Sequence, residues 1–143
     1  MAVEIVSVDQ WIYEALAADG QLAAVVGSRI FADVAPQDAA MPQVIFQMQA
    51  AQPDSVGVGG TRILTNGLWL VKAIDQTESY AGLLKTAADR IDTVLHGLVG
   101  DTVSWVTVDN CVRQEPFRMA EDDPSGRQYR HLGGLYWVVA YTA

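Results

Sequence analysis

The chain has one cysteine, Cys111, so no internal disulfide can brace it. A lone thiol suits a reducing interior. Histidine is nearly as scarce: His96 and His131 fall on different predicted elements from each other and from Cys111. A zinc site wants several ligands at short fixed spacings, and a Cys–His nucleophile pair wants an orienting neighbour. The sequence shows neither, and it implies no cofactor. Basic residues are few, with 9 Lys and Arg against 17 Asp and Glu, a formal charge of −8. Gripping nucleic acid needs clustered cations to neutralise phosphates, so that role is excluded, whereas letting DNA pass is not. No apolar run approaches the ~20 residues of a membrane helix. The opening Met1-Ala2-Val3-Glu4 lacks the basic start of a secretory signal. Half the residues are hydrophobic and 18% are charged, which excludes a disordered tail.

What is present reads as one α+β domain spanning residues 1–143, the simplest organisation for 143 residues. Val8, Trp11, Ile12, Ala15 and Leu16 recur at three- and four-residue steps and predict a first helix. Ser7 or Asp9 is the expected cap, and Gly20 the left-handed stop. Leu22 to Val26 continues as a turn or two of helix, ended by Gly27. Ile30 to Val34 reads as a short strand, and Gln43 to Gln49 as a half-buried one. Gln52 to Gly60 reads as a glycine-rich loop, and Thr61 to Ala73 as a long strand. Leu84, Ala87, Ala88, Ile91, Val94, Leu95 and Leu98 form an unbroken apolar stripe on a second long helix. Thr77 or Ser79 is its expected cap, and Gly97 or Gly100 its end. A strand from Val103 to about Gln114, a polar loop from Phe117 to Gly126 and a strand from Arg127 to Tyr141 complete the chain. Strands adjacent in sequence favour a mainly antiparallel sheet with helices packed on one face.

Each candidate cluster has a plain structural explanation beside a functional one. Gly57-Val58-Gly59-Gly60 leads into a strand through Thr61-Arg62, so it suits a hairpin tip better than a phosphate cradle. Glu121-Asp122-Asp123 lacks the alternating oxygens and final glutamate of a calcium loop. His96, near a helix C-terminus, can donate to the last carbonyls. Arg113, Arg118, Arg127 and Arg130 bracket the acidic segment, either as local charge pairs or as an interface belt meeting acids of a neighbouring subunit. Trp11, Trp69, Trp105 and Trp137 fall one to each major element, the usual sign of core. Yet the strands carrying Trp69 and Trp105 are apolar on both faces, and the face without helices needs a partner.

The run from Trp11 to Gln47 carries a further pattern: a helix closed by Asp19-Gly20 and Leu22, a glycine before Arg29-Ile30-Phe31, a break at Ala35-Pro36, and the strand Pro42-Gln43-Val44-Ile45-Phe46. This order resembles the opening of the bacteriophage tail-terminator, or tail-completion, family. The resemblance implies a structural virion protein with no catalytic site. Its subunits would form a ring, a hexamer by family analogy, that caps the tail tube and joins a head-completion or connector protein. DNA would pass through the channel without specific binding, and six chains would carry six times the acidic charge. The expected place is the head-proximal end of the tail, assembled in the host cytoplasm. Arg62, Trp69, Arg113, Arg118, Arg127 and Arg130 are the candidate subunit-interface residues. Gly57, Val58, Gly59 and Gly60 are the candidate tube- or channel-facing loop. The segment after Phe117 departs in length from the family's better-known members. A competing reading is a small dimeric ligand-binding or cofactor-free oxygenase-like domain with an apolar pocket near Tyr129 and His131. A third is an assembly protein of a contractile injection machine.

Overall fold

The computed structural model describes residues 3–142. The elements are α1 (Val3–Ala17), α2 (Gly20–Val26), β1 (Ile30–Ala32), β2 (Gln43–Val56), β3 (Arg62–Asp75), α3 (Leu83–Leu95), β4 (Thr102–Val103), β5 (Val106–Asp122) and β6 (Gln128–Thr142). The strands make one six-stranded sheet in the order β1-β2-β3-β6-β5-β4. Only β1 and β2 pair in parallel. The α+β class expected from the sequence is the one that forms.

Alternation along the strands divides the sheet into two faces. Trp69, Val71 and Ala73 of β3 lie under the helices with Tyr136, Val138 and Ala140 of β6 and Val108 and Cys111 of β5. The α3 stripe seals this layer, with Leu84, Ala87, Ile91 and Leu95 fully buried. Ile12 and Leu16 of α1 and Leu22 and Val26 of α2 join the same core. Three of the large polar side chains it holds are paired with carboxylates. Trp69 Nε1 donates to Asp9 at 2.9 Å, Trp11 Nε1 donates to Asp101 at 3.1 Å, and the Tyr136 hydroxyl donates to Asp92 at 3.0 Å. An indole or phenol left without a partner at such depth would cost its full desolvation penalty.

The helix ends differ from the sequence reading. Ser7 and Asp9 lie inside α1 rather than capping it, because Asp9 bonds Trp69 across the layer. Gly20 does not stop α1; it opens α2, and Asp19 is the N-cap, its Oδ2 accepting from the Leu22 N–H at 2.9 Å. Thr77 and Ser79 do not cap α3. Gly82 precedes it without a side-chain cap, while the two hydroxyls accept from the N–H groups of Ser79 and Ala81 in the preceding turns. His96 does not donate to the helix carbonyls; its Nδ1 accepts from the Arg113 N–H at 2.9 Å. Gly97, at φ 83°, ends α3 and donates its N–H to the Cys111 carbonyl at 2.7 Å.

Two predicted loops are mostly strand. Pairing continues along β2 to Val56 and along β5 to Asp122, despite Pro53 and Pro116. Proline is tolerated where a strand's other side is unpaired. That holds here, because β1 covers β2 only from Val44 to Phe46, and β4 covers β5 only at Val106 and Thr107. The predicted strand beginning at Val103 is interrupted instead. Ser104 and Trp105 take φ of 50° and 70°, folding β4 back on β5.

Asp19 ties three pieces together, since Arg90 of α3 also donates to it through Nε and Nη2, at 3.0 and 2.7 Å. Asp19→Ala is expected to lower stability by about 1–2 kcal/mol from the lost cap. The hydrogen bonds from Arg90 hold this carboxyl below its ordinary pKa. A lowered folded pKa stabilises above the unfolded value of about 3.9 and is lost as pH falls through the folded one. The gap between the two proteins in urea titrations should therefore start to narrow at about pH 4 and keep closing as the pH falls through the lower folded value. A gap unchanged from neutral pH down to strong acid would remove the pair from the account.

Candidate functional site

The five arginines singled out by sequence do not form one belt. Register places Arg113, Arg118 and Arg130 along the β5–β6 pair, beside Tyr136, Leu132 and Ala120 respectively. Arg113 Nε lies 3.7 Å from Asp92 of α3. Arg118 and Arg130 stack on Tyr80, 5.4 and 5.9 Å from its ring centroid. Arg127 sits in the exposed β5–β6 turn, where Asp123 accepts its N–H at 2.9 Å. Hydrogen bonds from Ser125 and Arg127 hold Asp123 below the usual carboxylate range. Arg62 lies at the opposite end of the sheet, 3.0 Å from Glu4 and 3.5 Å from Asp54. Trp69 requires a correction as an interface residue. It is 1% exposed and wholly occupied by the chain's own core, because its odd position on β3 points under α1 and α3.

The Gly57–Gly60 turn joins β2 to β3 and opens no helix, as its sequence indicates. Gly59 and Gly60 take φ of 92° and 85°, and Val58 projects fully into solvent between exposed Val56 and Ile63.

Catalytic groupings fare differently when seen in space. Cys111 is buried beneath the helices, where burial and the nearby Asp92 push its thiol up to about 12. A thiol so far from ionising is no nucleophile at neutral pH. His131 alternates onto the other face of the sheet. Its Nε2 lies 3.1 Å from Glu121, and burial lowers its pKa against the pull of that carboxylate. Among the described residues, no three His, Cys, Asp or Glu side chains gather as a metal site. The hollow beside Tyr129, about 610 Å³, is lined by Asp38, Asp75, Gln76 and Arg127. It is polar, and His131 does not line it, so the apolar pocket a ligand-binding reading requires is not found there. No helix among the described residues is long and apolar enough to cross a membrane.

The face away from the helices carries a second set of apolar side chains with no element packed over it. Half-buried Leu68, Trp137 and Val112 line up across β3, β6 and β5, with half-buried Leu135 beside buried Leu70 in the next row. Phe117 follows, with Lys72 Nζ 5.6 Å from its ring centroid. Burial lowers the Lys72 pKa. Two features escaped the sequence reading. Trp105 is 83% exposed on its turn, and no Asn-Gly pair marked that reversal. Second, α1 and β1 enclose an apolar groove lined by Tyr13, Phe31, Val34 and Pro36, residues too dispersed in sequence to read as one surface.

Comparison with known proteins agrees with this architecture. A chain from a structure described as the virion of a native gene transfer agent particle superposes with a TM-score of 0.71 at 17% identity, covering 99% of this chain and 100% of that one. A second solved chain gives 0.57 at 13% identity, covering 94% and 97%. At these identities the likeness is one of fold. No curated protein matches the sequence. The family model described as tail completion protein gp17 matches residues 10–123, a span that takes in the second half of α1, the Trp11–Gln47 pattern and the whole of β5. The chain therefore belongs to the tail completion protein gp17 family, the structural proteins of bacteriophage tails.

Proposed function

We propose that this protein is a tail terminator: a ring of identical subunits, six by family analogy, that caps the tail tube and joins it to the head connector. Its work is steric and interfacial, with no bond chemistry. One ring face would copy the contacts of a tube ring and end polymerisation, while the other would meet the head-completion protein. DNA would cross an acidic channel that repels phosphates and limits sticking. Assembly would take place in the host cytoplasm, and the ring would sit at the head-proximal end of the virion tail. The observation that carries this reading is a sheet face without helices whose Leu68, Phe117, Leu135 and Trp137 remain partly exposed, in a chain of this family. An apolar surface of that kind marks an interaction site. Arg62, Arg113, Arg118, Arg127 and Arg130 are the proposed charged contacts at subunit joints, and the Gly57–Gly60 turn the segment nearest tube or channel.

Native mass spectrometry of the purified protein, with and without tail tubes, tests this directly. Discrete rings, seen by electron microscopy at tube ends, are the expected outcome. Protease cleavage around Gly57–Gly60 should fall sharply in the assembled form, since glycine-rich turns are costly to order until a partner holds them. A protein that stays monomeric or dimeric even with tubes would sink the terminator reading.

A further inference from the structure

The turn between β4 and β5 carries a side chain that the fold itself does not use. Ser104 and Trp105 both have positive φ, a reversal that favours Asn-Gly because a bulky residue is strained there. Burial does not offset that strain. Trp105 is 83% exposed, whereas Trp11 and Trp69 are 2% and 1% exposed. Nor is the turn a loose tip. Ser104 Oγ donates to Gln10 of α1 at 3.0 Å, and the Thr102 and Thr107 hydroxyls share a bond of 2.9 Å. The indole is thus presented from a fixed base. Rigid, exposed tryptophan is the residue type most often found anchoring a protein interface.

A matching hole lies on the other flank of α1. Between α1 and β1 is an open groove of about 490 Å³, larger than one indole, lined by Tyr13, Phe31, Val34 and Pro36. Val34 is 79% exposed and Tyr13 44%. Asp9 and Gln10 also line it; each already accepts one bond, from Trp69 and Ser104, and keeps lone pairs of the kind a buried indole N–H seeks. Chemistry and size match the projecting side chain on the same molecule, and topology says how two copies would meet. β1 is one edge of the sheet and β4 the other. A knob at one edge and a hole at the opposite edge join copies head to tail, the contact type that closes into a ring when the rotation per copy allows it and otherwise extends as a filament.

We propose that Trp105 of one copy inserts into the Tyr13–Phe31–Val34–Pro36 groove of the next. This joint rests on the ring reading above and specifies where the subunits meet. Two variants and their mixture test it by native mass spectrometry, under conditions where the wild type forms rings. Trp105→Gly should melt at a higher temperature, because glycine relieves the turn, and yet remain monomeric. Val34→Glu should fold normally and also remain monomeric. Mixed together, the first keeps its groove and the second its knob, so heterodimers and nothing larger should form. Intact rings from Trp105→Gly, or a mixture that stays monomeric, would overturn the joint while leaving the ring reading standing. A wild type that never assembles would instead sink the ring reading, and this joint with it.

Discussion

Ile91→Asp is expected to leave no soluble folded protein. Ile91 is 0% exposed at the centre of the α3 stripe, above the Trp69, Tyr136 and Val138 layer of the sheet. An aspartate there must bury an unpaired carboxylate or expel α3, and either costs several kcal/mol. Total stability for such a chain is of the order of 5–15 kcal/mol, so the loss takes most of it. Ile91→Val, which removes one methylene, should cost only about 0.5–1.5 kcal/mol and serves as the control. Soluble yield and circular dichroism decide the matter. A soluble aspartate variant with normal melting would mean that α3 presents another face to the sheet.

Gly133→Ala is the second severe case, and here the cause is backbone against backbone. A Cβ at Gly133 would press on the Val71 carbonyl oxygen and stand 2.6 Å from Lys72 Cα. No rotamer change can relieve that overlap. β3 and β6 are the two middle strands, each paired on both sides, so neither can retreat without breaking its outer ladder. We expect a loss of about 3 kcal/mol or more, at the upper end for overpacking. Gly20→Ala is the contrast: a Cβ there meets nothing within 4 Å, and a helical alanine should be neutral or stabilising by up to about 1 kcal/mol. Urea denaturation separates the two. A Gly133→Ala protein as stable as the wild type would show that the β3–β6 approach is looser than described.

The core was the most legible part of the sequence. The Leu84–Ile91–Leu95 stripe and the Val8–Trp11–Ile12–Leu16 face announce themselves because helical burial repeats every three to four residues. Strand ends were less legible. Pro53 and Pro116 read as loop because local sequence does not reveal which strands have an open outer side. Caps are hard to read where a side chain has a distant partner, as Asp9 has in Trp69, and the real cap of α2, Asp19, also serves Arg90. The candidate site suffered most. Arg113, Arg118 and Arg130 cluster in sequence, yet in space each meets a side chain of α3 or of the segment before it. Trp69 and Trp105 look alike in sequence and end as core and knob, because one falls mid-strand and the other on a reversal.

The pairing of β3 with β6 also determines how the subunit would bear force. The Gly57–Gly60 turn lies where β3 begins, beside the end of β6, and the Asp123–Gly126 turn lies where β6 begins. The two hairpin tips therefore point to opposite ends of a sheet whose β6 alone, at 15 residues, spans about 50 Å. Tension applied between those tips would pull β3 and β6 past one another along their length. The ladder from Thr65–Ala140 to Asp75–Arg130 would then be loaded in shear, its hydrogen bonds sharing the strain together instead of opening one after another. A subunit gripped by its two tips is held in its mechanically strongest direction.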